Sequence, residues 1–394
     1  MRVPMLDLSE QYRSLAEPIR NEIEQVLASQ RFILGPKLEE FEQSIASYLG
    51  VPHAIGVSSG TDALLAALMA LGIGAGDTVL TTAYSFFATA GCVARVGATP
   101  RFVDIDPETY NLSPTALKHY IDKFCKRSGG KLLDQNDQPI CAIVPSHLFG
   151  LCCEMDEIME LAREHHLLVI EDAAQAIGAE YPGPNGAAKA GTMGDVGCFS
   201  FYPSKNLGAA GDAGLIVCRN DELAKRLRLC RQHGMEPRYE HHFIGGNFRL
   251  DEIQAAILNV KLPHLNGWSA ARRAAADIYR EEFARSRLTD RIGLPVEPFR
   301  SRGLTNHHIY HQYVIRTRQR DELHAHLARR EIDTAIYYPL GLHEQECFQY
   351  LGYRPGDFPE TERAARESLA LPIYPEIQPE AQRFVVNAIV EFFK

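Results

Sequence analysis

One lysine, Lys205, stands in the run FSFYPSKNLGAAGDAG, on a Gly-rich turn between two apolar strands. Desolvation disfavours an ammonium, so burial would lower its pKa toward the neutral amine that forms a Schiff base with an aldehyde or ketone. A loop lysine is otherwise a solvated side chain, and the neighbouring motifs decide between the two. In LLVIEDAAQAIGA an apolar strand ends on Glu171-Asp172, and Gln175 follows one helical turn later. Ligands of open parallel sheets bind at the carboxyl ends of strands. Asp172 is therefore placed either to keep a pyridine-type nitrogen protonated through a charge-assisted hydrogen bond or to cap a helix.

Three further segments have matching chemistry. VSSGTDAL runs from a strand into a helix at Ser58 to Thr61, and the free amides of a helix start favour phosphate. The same residues make an ordinary capped turn, and Asp62 repels an anion unless it points away. In TTAYSFFATAG, Phe86 and Phe87 follow a strand end, where an aromatic face either stacks on a flat cofactor or fills the core. Ser200, five residues before Lys205, offers a hydroxyl to the same anion. GGNFRLDEIQAA places Asn247 and Arg249 after paired glycines, where the arginine either clamps an anion or balances surface charge. An amine, an acid for a ring nitrogen, a helix start, an aromatic cover and a polar clamp are the groups that pyridoxal 5'-phosphate requires of a protein.

The elements that must position these residues follow from the hydrophobic pattern. From about residue 50 to 220, short apolar runs (HAIGVS, TVLTT, PRFVDID, CAIVPSH, LLVIED, GCFSFY, GLIVCR) alternate with helical patterns. This is the mark of an α/β chain with a mostly parallel sheet covered by helices. Helices are expected at Thr61 to Leu71, with Ser59 as N-cap, and at Phe87 to Arg95, Pro114 to Phe124 and Met155 to His165. KRSGGKLLDQNDQPI reads as an exposed, mobile excursion, EYPGPNGAAKAG and MEPRYEHHFIGGN as loops, and Leu250 to about Glu282 as one long helix. Beyond it, HHIYHQYVIRT, RDELHAHLARREI, DTAIYYPL and a terminal helix form a smaller α+β region. At 394 residues two domains are expected: residues 1–262, including an N-terminal helical segment, and residues 263–394.

Composition narrows the function. With 45% hydrophobic and 23% charged residues the chain is an ordinary globular one, and its net charge of -9 argues against a nucleic-acid partner. Asp7 and Glu10 stand where a signal peptide would be apolar, and the run ALLAALMALGIGAG is too short to span a bilayer, so a cytoplasmic location without membrane attachment is expected. The nine cysteines lack paired C-x-x-C spacing and the fifteen histidines lack the spacing of a zinc protease, so no metal site is expected.

These motifs closely resemble the DegT/DnrJ/EryC1/StrS family, nucleotide-sugar aminotransferases of the aspartate aminotransferase fold (fold type I). The resemblance extends from LDLSEQYRSL and RFILGPKLEEFE, through SSGTDALLAALMALGIGAGD, FVDIDPETYNL, EDAAQAIGA, FSFYPSKNLGAAGDAG and GGNFRLDEIQAAIL, to YYPLGLHEQECF and LALPIYP. It implies that Lys205 forms the Schiff base with pyridoxal 5'-phosphate, that Asp172 meets the pyridine nitrogen, and that Gln175 lies near the ring hydroxyl. It places Gly60, Thr61 and Ser200 on the phosphate and Phe86 on the ring. Asn247, and with it Arg249, would reach the phosphate site of a second subunit in a homodimer with shared active sites. His147 in PSHLFG matches a family histidine near the cofactor and equally fits a core position; Tyr338 and His343 match the segment that approaches the sugar. Many relatives carry His where Tyr337 stands and Pro where Gly341 stands, and residues 126–140 look like an insertion.

The expected reaction moves an amino group from L-glutamate to a keto sugar carried on UDP or dTDP, at carbon 3 or 4. Some relatives replace the lysine with histidine and are dehydratases; Lys205 favours transamination here. A sugar dehydratase or a non-enzymatic cofactor-binding regulator on the same fold are the alternatives.

Overall fold

The computed structural model describes residues 1–184, 186–288 and 290–394. In chain order the first strands are β1 (His53–Val57), β2 (Thr78–Thr82) and β3 (Thr99–Val103), followed by a hairpin, β4 (Lys126–Ser128) and β5 (Lys131–Leu133). Next come β6 (Ile140–Val144) and β7 (Leu168–Asp172), then a second hairpin, β8 (Glu180–Gly183) and β9 (Gly186–Lys189). The last four are β10 (Val196–Ser200), β11 (Gly214–Cys218), β12 (Tyr313–Arg316) and β13 (Ser368–Leu371).

Seven of these strands, the ones read from the apolar runs, form one sheet in the order β1-β11-β10-β7-β6-β2-β3. Only β11 runs against its neighbours β1 and β10; every other pair is parallel. Six strand ends therefore open on one edge, and the chain leaves each of them there. Both faces are covered, which is why β2 and β11 are buried at every position. Alternate residues serve opposite cores. Leu80, Val169 and Leu215 pack with Leu38, Phe41 and Ile45 of the helix Pro36–Leu49. Val79, Ile170 and Ile216 pack with Leu64, Leu65 and Leu68 of the helix Gly60–Ala70. The apolar run from Ala63 is thus a buried helix, and none of the described helices is long and apolar enough to cross a membrane.

The smaller unit packs the pair β12–β13 with the helices Leu265–Ser286, Arg320–Arg329 and Pro379–Phe392 around Tyr279, Tyr313, Leu323, Leu369 and Ile389. Its core also takes in Val3, which exchanges backbone hydrogen bonds with Glu331 and Asp333 at 2.9 Å each. The first residues therefore pack with the C-terminal unit, because Val3 completes an apolar cluster there; they do not stay with the rest of residues 1–262.

Local expectations fail in three places. The long helix from Leu250 is two helices, Glu252–Lys261 and Leu265–Ser286, separated by a 3-10 turn around Pro263, whose ring and missing N–H interrupt the ladder. EYPGPNGAAKAG is not a plain loop, since β8 and β9 pair across it. The 126–140 segment is not a loose excursion either. It forms the β4–β5 hairpin, and Asp134 behind it is 1% exposed, taking Arg101 Nε and Nη2 at 3.0 and 2.9 Å on one oxygen and the amides of Asn136 and Gln138 on the other.

Candidate functional site

A cavity of about 570 Å³ opens at the shared edge of the sheet, lined by Gly60, Thr61, Phe86, Asp172, Gln175, Ser200, Lys205 and Tyr338 among others. The first of these owe their places to the turn after β1. Ser59 caps the helix Gly60–Ala70, its hydroxyl accepting the Asp62 amide at 3.0 Å, so the amides of Gly60 and Thr61 remain at the open first turn. Asp62 points back to Ser58, whose hydroxyl donates to it at 2.6 Å, and stays out of the cavity lining. Its charge therefore does not block an anion at the helix start. A Cβ added to Gly60 would stand 2.6 Å from Ser200 Cβ, so only glycine lets the helix start close on the end of β10.

Asp172 ends β7 and is 5% exposed. Its Oδ2 accepts from Thr89 Oγ1 at 2.6 Å and its Oδ1 from the Ala174 amide at 3.2 Å. Behind it, Ser85 Oγ meets Thr89 Oγ1 at 2.9 Å and Ser146 Oγ at 3.0 Å. Ser85, just past β2, and Ser146, just past β6, thereby brace the Thr89 hydroxyl that holds the carboxylate at the end of β7. Thr89 lies three residues beyond Phe86 in SFFATAG, one helical turn on, a spacing that could have brought it forward from the sequence.

Lys205 is reached by a tight turn in which its amide donates to Tyr202 O at 2.8 Å. The loop doubles back at Gly208, where a Cβ would stand 2.4 Å from the Pro203 carbonyl oxygen. Burial pulls the Lys205 ammonium down to about 8, with Asp172 opposing the shift. A substantial neutral fraction at physiological pH is what a nucleophilic amine needs.

Gln175 is held at both ends, accepting from the Phe149 amide at 2.8 Å and donating to Tyr338 Oη at 2.9 Å. Tyr338 in turn is set by Tyr84, whose hydroxyl accepts the Tyr338 amide at 2.7 Å and donates to the Tyr337 carbonyl at 2.8 Å. Phe86 faces the cavity with its ring 6.3 Å from that of Tyr338, whereas Phe87 turns away to Phe348 at 5.6 Å. Tyr202, Asp212, His311, Gln312 and Tyr337 complete much of the wall. His311 and Gln312 come from the small unit, and no spacing in the sequence ties them to Lys205.

Four candidates lie outside this lining. His147 is fully buried, its Nε2 2.7 Å from Glu171 Oε2 and its Nδ1 accepting the Cys153 amide at 3.0 Å. It occupies a core position where Glu171 is also bound by the amides of Gly191, Met193 and Gly194. His343 is buried on the turn Leu342–Glu344, its ring 4.6 Å from that of Phe358. Arg249 pairs by backbone with Val57 at the end of β1, and Asn247 is exposed on the neighbouring segment.

Residues 13–390 match the DegT/DnrJ/EryC1/StrS aminotransferase family. The chain is 47% identical to a pleiotropic regulatory protein of Geobacillus stearothermophilus over 100% of its length and 99% of that protein. It is 40% identical to a UDP-N-acetyl-3-dehydro-alpha-D-glucosamine 3-aminotransferase of Acidithiobacillus ferrooxidans, covering 96% of this chain and 94% of the other. A dTDP-3-amino-3,4,6-trideoxy-alpha-D-glucose transaminase of Streptomyces venezuelae is also 40% identical, over 99% and 96%. Among solved structures, DesV of S. venezuelae in complex with a ketimine intermediate superposes with a TM-score of 0.89 at 38% identity, covering 99% and 98% of the two chains. The ntda protein of Bacillus subtilis, with the cofactor PMP bound, does so with a TM-score of 0.86 at 30% identity, over 99% and 85%.

Proposed function

Because the chain belongs to the DegT/DnrJ/EryC1/StrS aminotransferase family, we propose that it transfers an amino group from L-glutamate to carbon 3 of a keto sugar carried on UDP or dTDP. The family is pyridoxal phosphate-dependent and of fold type I, and the chain is an aminotransferase of that class. The single observation that carries the reading is that Lys205 and Asp172 line one cavity with the open helix start at Gly60. Choice of carbon 3 rests on the two relatives at 40% identity, both named for 3-amino products or 3-dehydro substrates.

The residues present fit the cofactor. The glycine cradle between Gly60 and Ser200, with the first-turn amides and the Ser200 hydroxyl, suits a phosphate, and Asp62 at its mouth is turned back to Ser58. Phe86 covers one face of the space between that cradle and Asp172, and Gln175 borders it. When bound, the cofactor supplies the carbonyl that captures the donor's amino group and the ring that takes up the electron pair released at Cα. Asp172, anchored by Thr89, holds the proton on the pyridine nitrogen, which keeps that ring electron-poor. Lys205, as free amine, would take the proton from the donor Cα and return it on the cofactor's side, and with the keto sugar would run the same transfer in reverse. Tyr338, held by Gln175 and Tyr84, is the wall residue best placed to meet the sugar.

A homodimer with shared sites is part of the reading. Asn247 lies on a segment whose Tyr239 and Ile244 are 74% and 88% exposed, an apolar surface that a second copy would cover. So is a cytoplasmic setting, for which the nine unpaired cysteines speak. The test is spectroscopic. L-Glutamate alone should convert the yellow enzyme to the pyridoxamine form, and 3-keto and 4-keto UDP- and dTDP-sugars should each be tried for its reversal. A protein that keeps its original spectrum with glutamate, or one reversed only by 4-keto sugars, would overturn the corresponding part of the proposal.

A further inference from the structure

Next to Lys205 in the chain stands Asn206, a 4% exposed residue that the reaction described above does not use. Both ends of its amide are engaged. Nδ2 donates to the Ile309 carbonyl at 2.9 Å, which identifies the other end as the oxygen, and Oδ1 lies 3.2 Å from His311 Nδ1. An amide oxygen only accepts, so the proton of the imidazole must sit on Nδ1 and Nε2 is left as a bare acceptor. The small unit holds this segment firmly. Arg272, 3% exposed, donates from Nη1 to the carbonyls of Tyr310 and Ile373, at 3.0 Å each. On the other side of the lysine loop, Lys261 Nζ donates to the Gly208 carbonyl at 2.5 Å. His311 and Lys205 line the same cavity. Burial, with the nearby charges of Lys205 and Arg272, holds His311 well below the usual histidine range, so it stays neutral beside the amine.

We propose that Asn206 and His311 are a positioning pair for Lys205: Asn206 selects the Nδ1-protonated imidazole, and Nε2 accepts a hydrogen bond from the Lys205 amine. A neutral amine that donates one N–H to His311 turns its lone pair away from the imidazole and into the cavity, toward the carbon it must deprotonate. The pair bridges the two units of the fold, since Asn206 belongs to the lysine loop and His311 to the strand entry of the small unit. This inference rests on Lys205 as the reacting amine and says which group aims it.

The titratable groups that share the cavity with Lys205 are Asp172, which favours its charge, Asp212, Tyr202, Tyr337, Tyr338 and His311, with Arg272 behind the last. The test measures the amine directly, by competitive acetylation of the full-length, cofactor-free protein across pH. The parent midpoint is expected at about 8. His311→Phe keeps the bulk of the ring but removes the acceptor that favours the ammonium, so the midpoint should fall by about one pH unit. His311→Gln, whose side chain presents an oxygen, should restore it. Nitrogen NMR of the His311 ring should find Nδ1 protonated and Nε2 bare in the parent, and a mixture in Asn206→Leu. In the holoenzyme His311→Phe should lower kcat about tenfold with KM for the amino donor little changed. An unchanged Lys205 midpoint in folded His311→Phe, or a protonated Nε2 in the parent, would overturn the pairing. Lack of turnover with glutamate and keto sugars, with both readouts as expected, would count against the proposed reaction and leave the pairing standing.

Discussion

Gly60 and Ser200, 140 positions apart in the chain, approach so closely that a methyl group on Gly60 would stand 2.6 Å from Ser200 Cβ. Helix start and strand end are joined there without any side chain between them, which leaves the amides of the helix and the hydroxyl of the serine facing one point. Gly60→Ala must push them apart. The expected result is a loss of cofactor affinity of at least about tenfold, equivalent to about 1.4 kcal/mol, with the folded protein retained, measured by spectroscopic titration of the apoprotein with pyridoxal 5'-phosphate.

Lys205→Ala should remove both the borohydride-reducible link to the cofactor and turnover, while circular dichroism stays native. In the parent, capture of the cofactor should rise with pH through a midpoint of about 8, where the buried ammonium loses its proton. The same depression has a consequence for stability. The folded amine binds its proton less tightly than the unfolded one, so between about 8 and the ordinary lysine value of 10.5 the unfolded chain holds more protons. The contribution of Lys205 to stability therefore increases with pH across that window, a rise that Lys205→Ala should abolish in apoprotein denaturation curves.

Thr89→Val replaces the hydroxyl that donates to Asp172 Oδ2 at 2.6 Å by a methyl of similar size. A hydrogen bond to the carboxylate is lost, so Asp172 is oriented less firmly toward the ring nitrogen. A fall in kcat of about tenfold is expected, corresponding to a charged hydrogen bond of roughly 1.5 kcal/mol, with glutamate KM little affected. Steady-state kinetics decide it.

Arg101 and Asp134, 3% and 1% exposed, tie the insertion to β3. Arg101→Met leaves a buried carboxylate without its partner, and the loss should be about 3 to 5 kcal/mol. Because the pair lies outside the cavity lining, kcat of the folded fraction should stay near the parent value. Denaturant titration and steady-state kinetics would read the two effects separately.

Asn247 is exposed and outside the cavity of its own chain. If it serves the site of a second copy, mixing Lys205→Ala with Asn247→Ala by joint refolding should create dimers with one intact site. Recovery of about a quarter of the parent activity is expected from random pairing in a two-fold dimer; no recovery would show that Asn247 acts within its own chain, and an Asn247→Ala protein as active as the parent by itself would show that it does not act at all.

The parts of this protein that were legible in its sequence are those governed by local rules. Seven apolar runs became the seven strands of the sheet, because a strand buried on both faces must be apolar almost throughout. Ser59 caps its helix as its type and place suggest. The break at Pro263 and the β8–β9 hairpin were missed: the first because an apolar helical pattern continues through the proline, the second because glycines and prolines mark a turn without revealing that the flanks pair. The anchoring of Asp134 by Arg101 could not be seen at all, since it depends on a contact between separate elements.

The site divides in the same way. That Lys205, Asp172, Gln175, Ser200, Gly60, Thr61 and Phe86 line one cavity could be read because each ends or follows a strand, and strand ends of a parallel sheet share one edge. The placement of His147 in the core, the turning of Asp62 away from the helix mouth, and the approach of His311 to Lys205 were decided only by tertiary structure. The physical reason is that residue type and spacing prescribe backbone direction along an element, whereas the partner of a buried polar group is set by whichever segment packs against it. For His311 that segment lies 105 residues beyond Asn206, and only the docking of the small unit brings the two together.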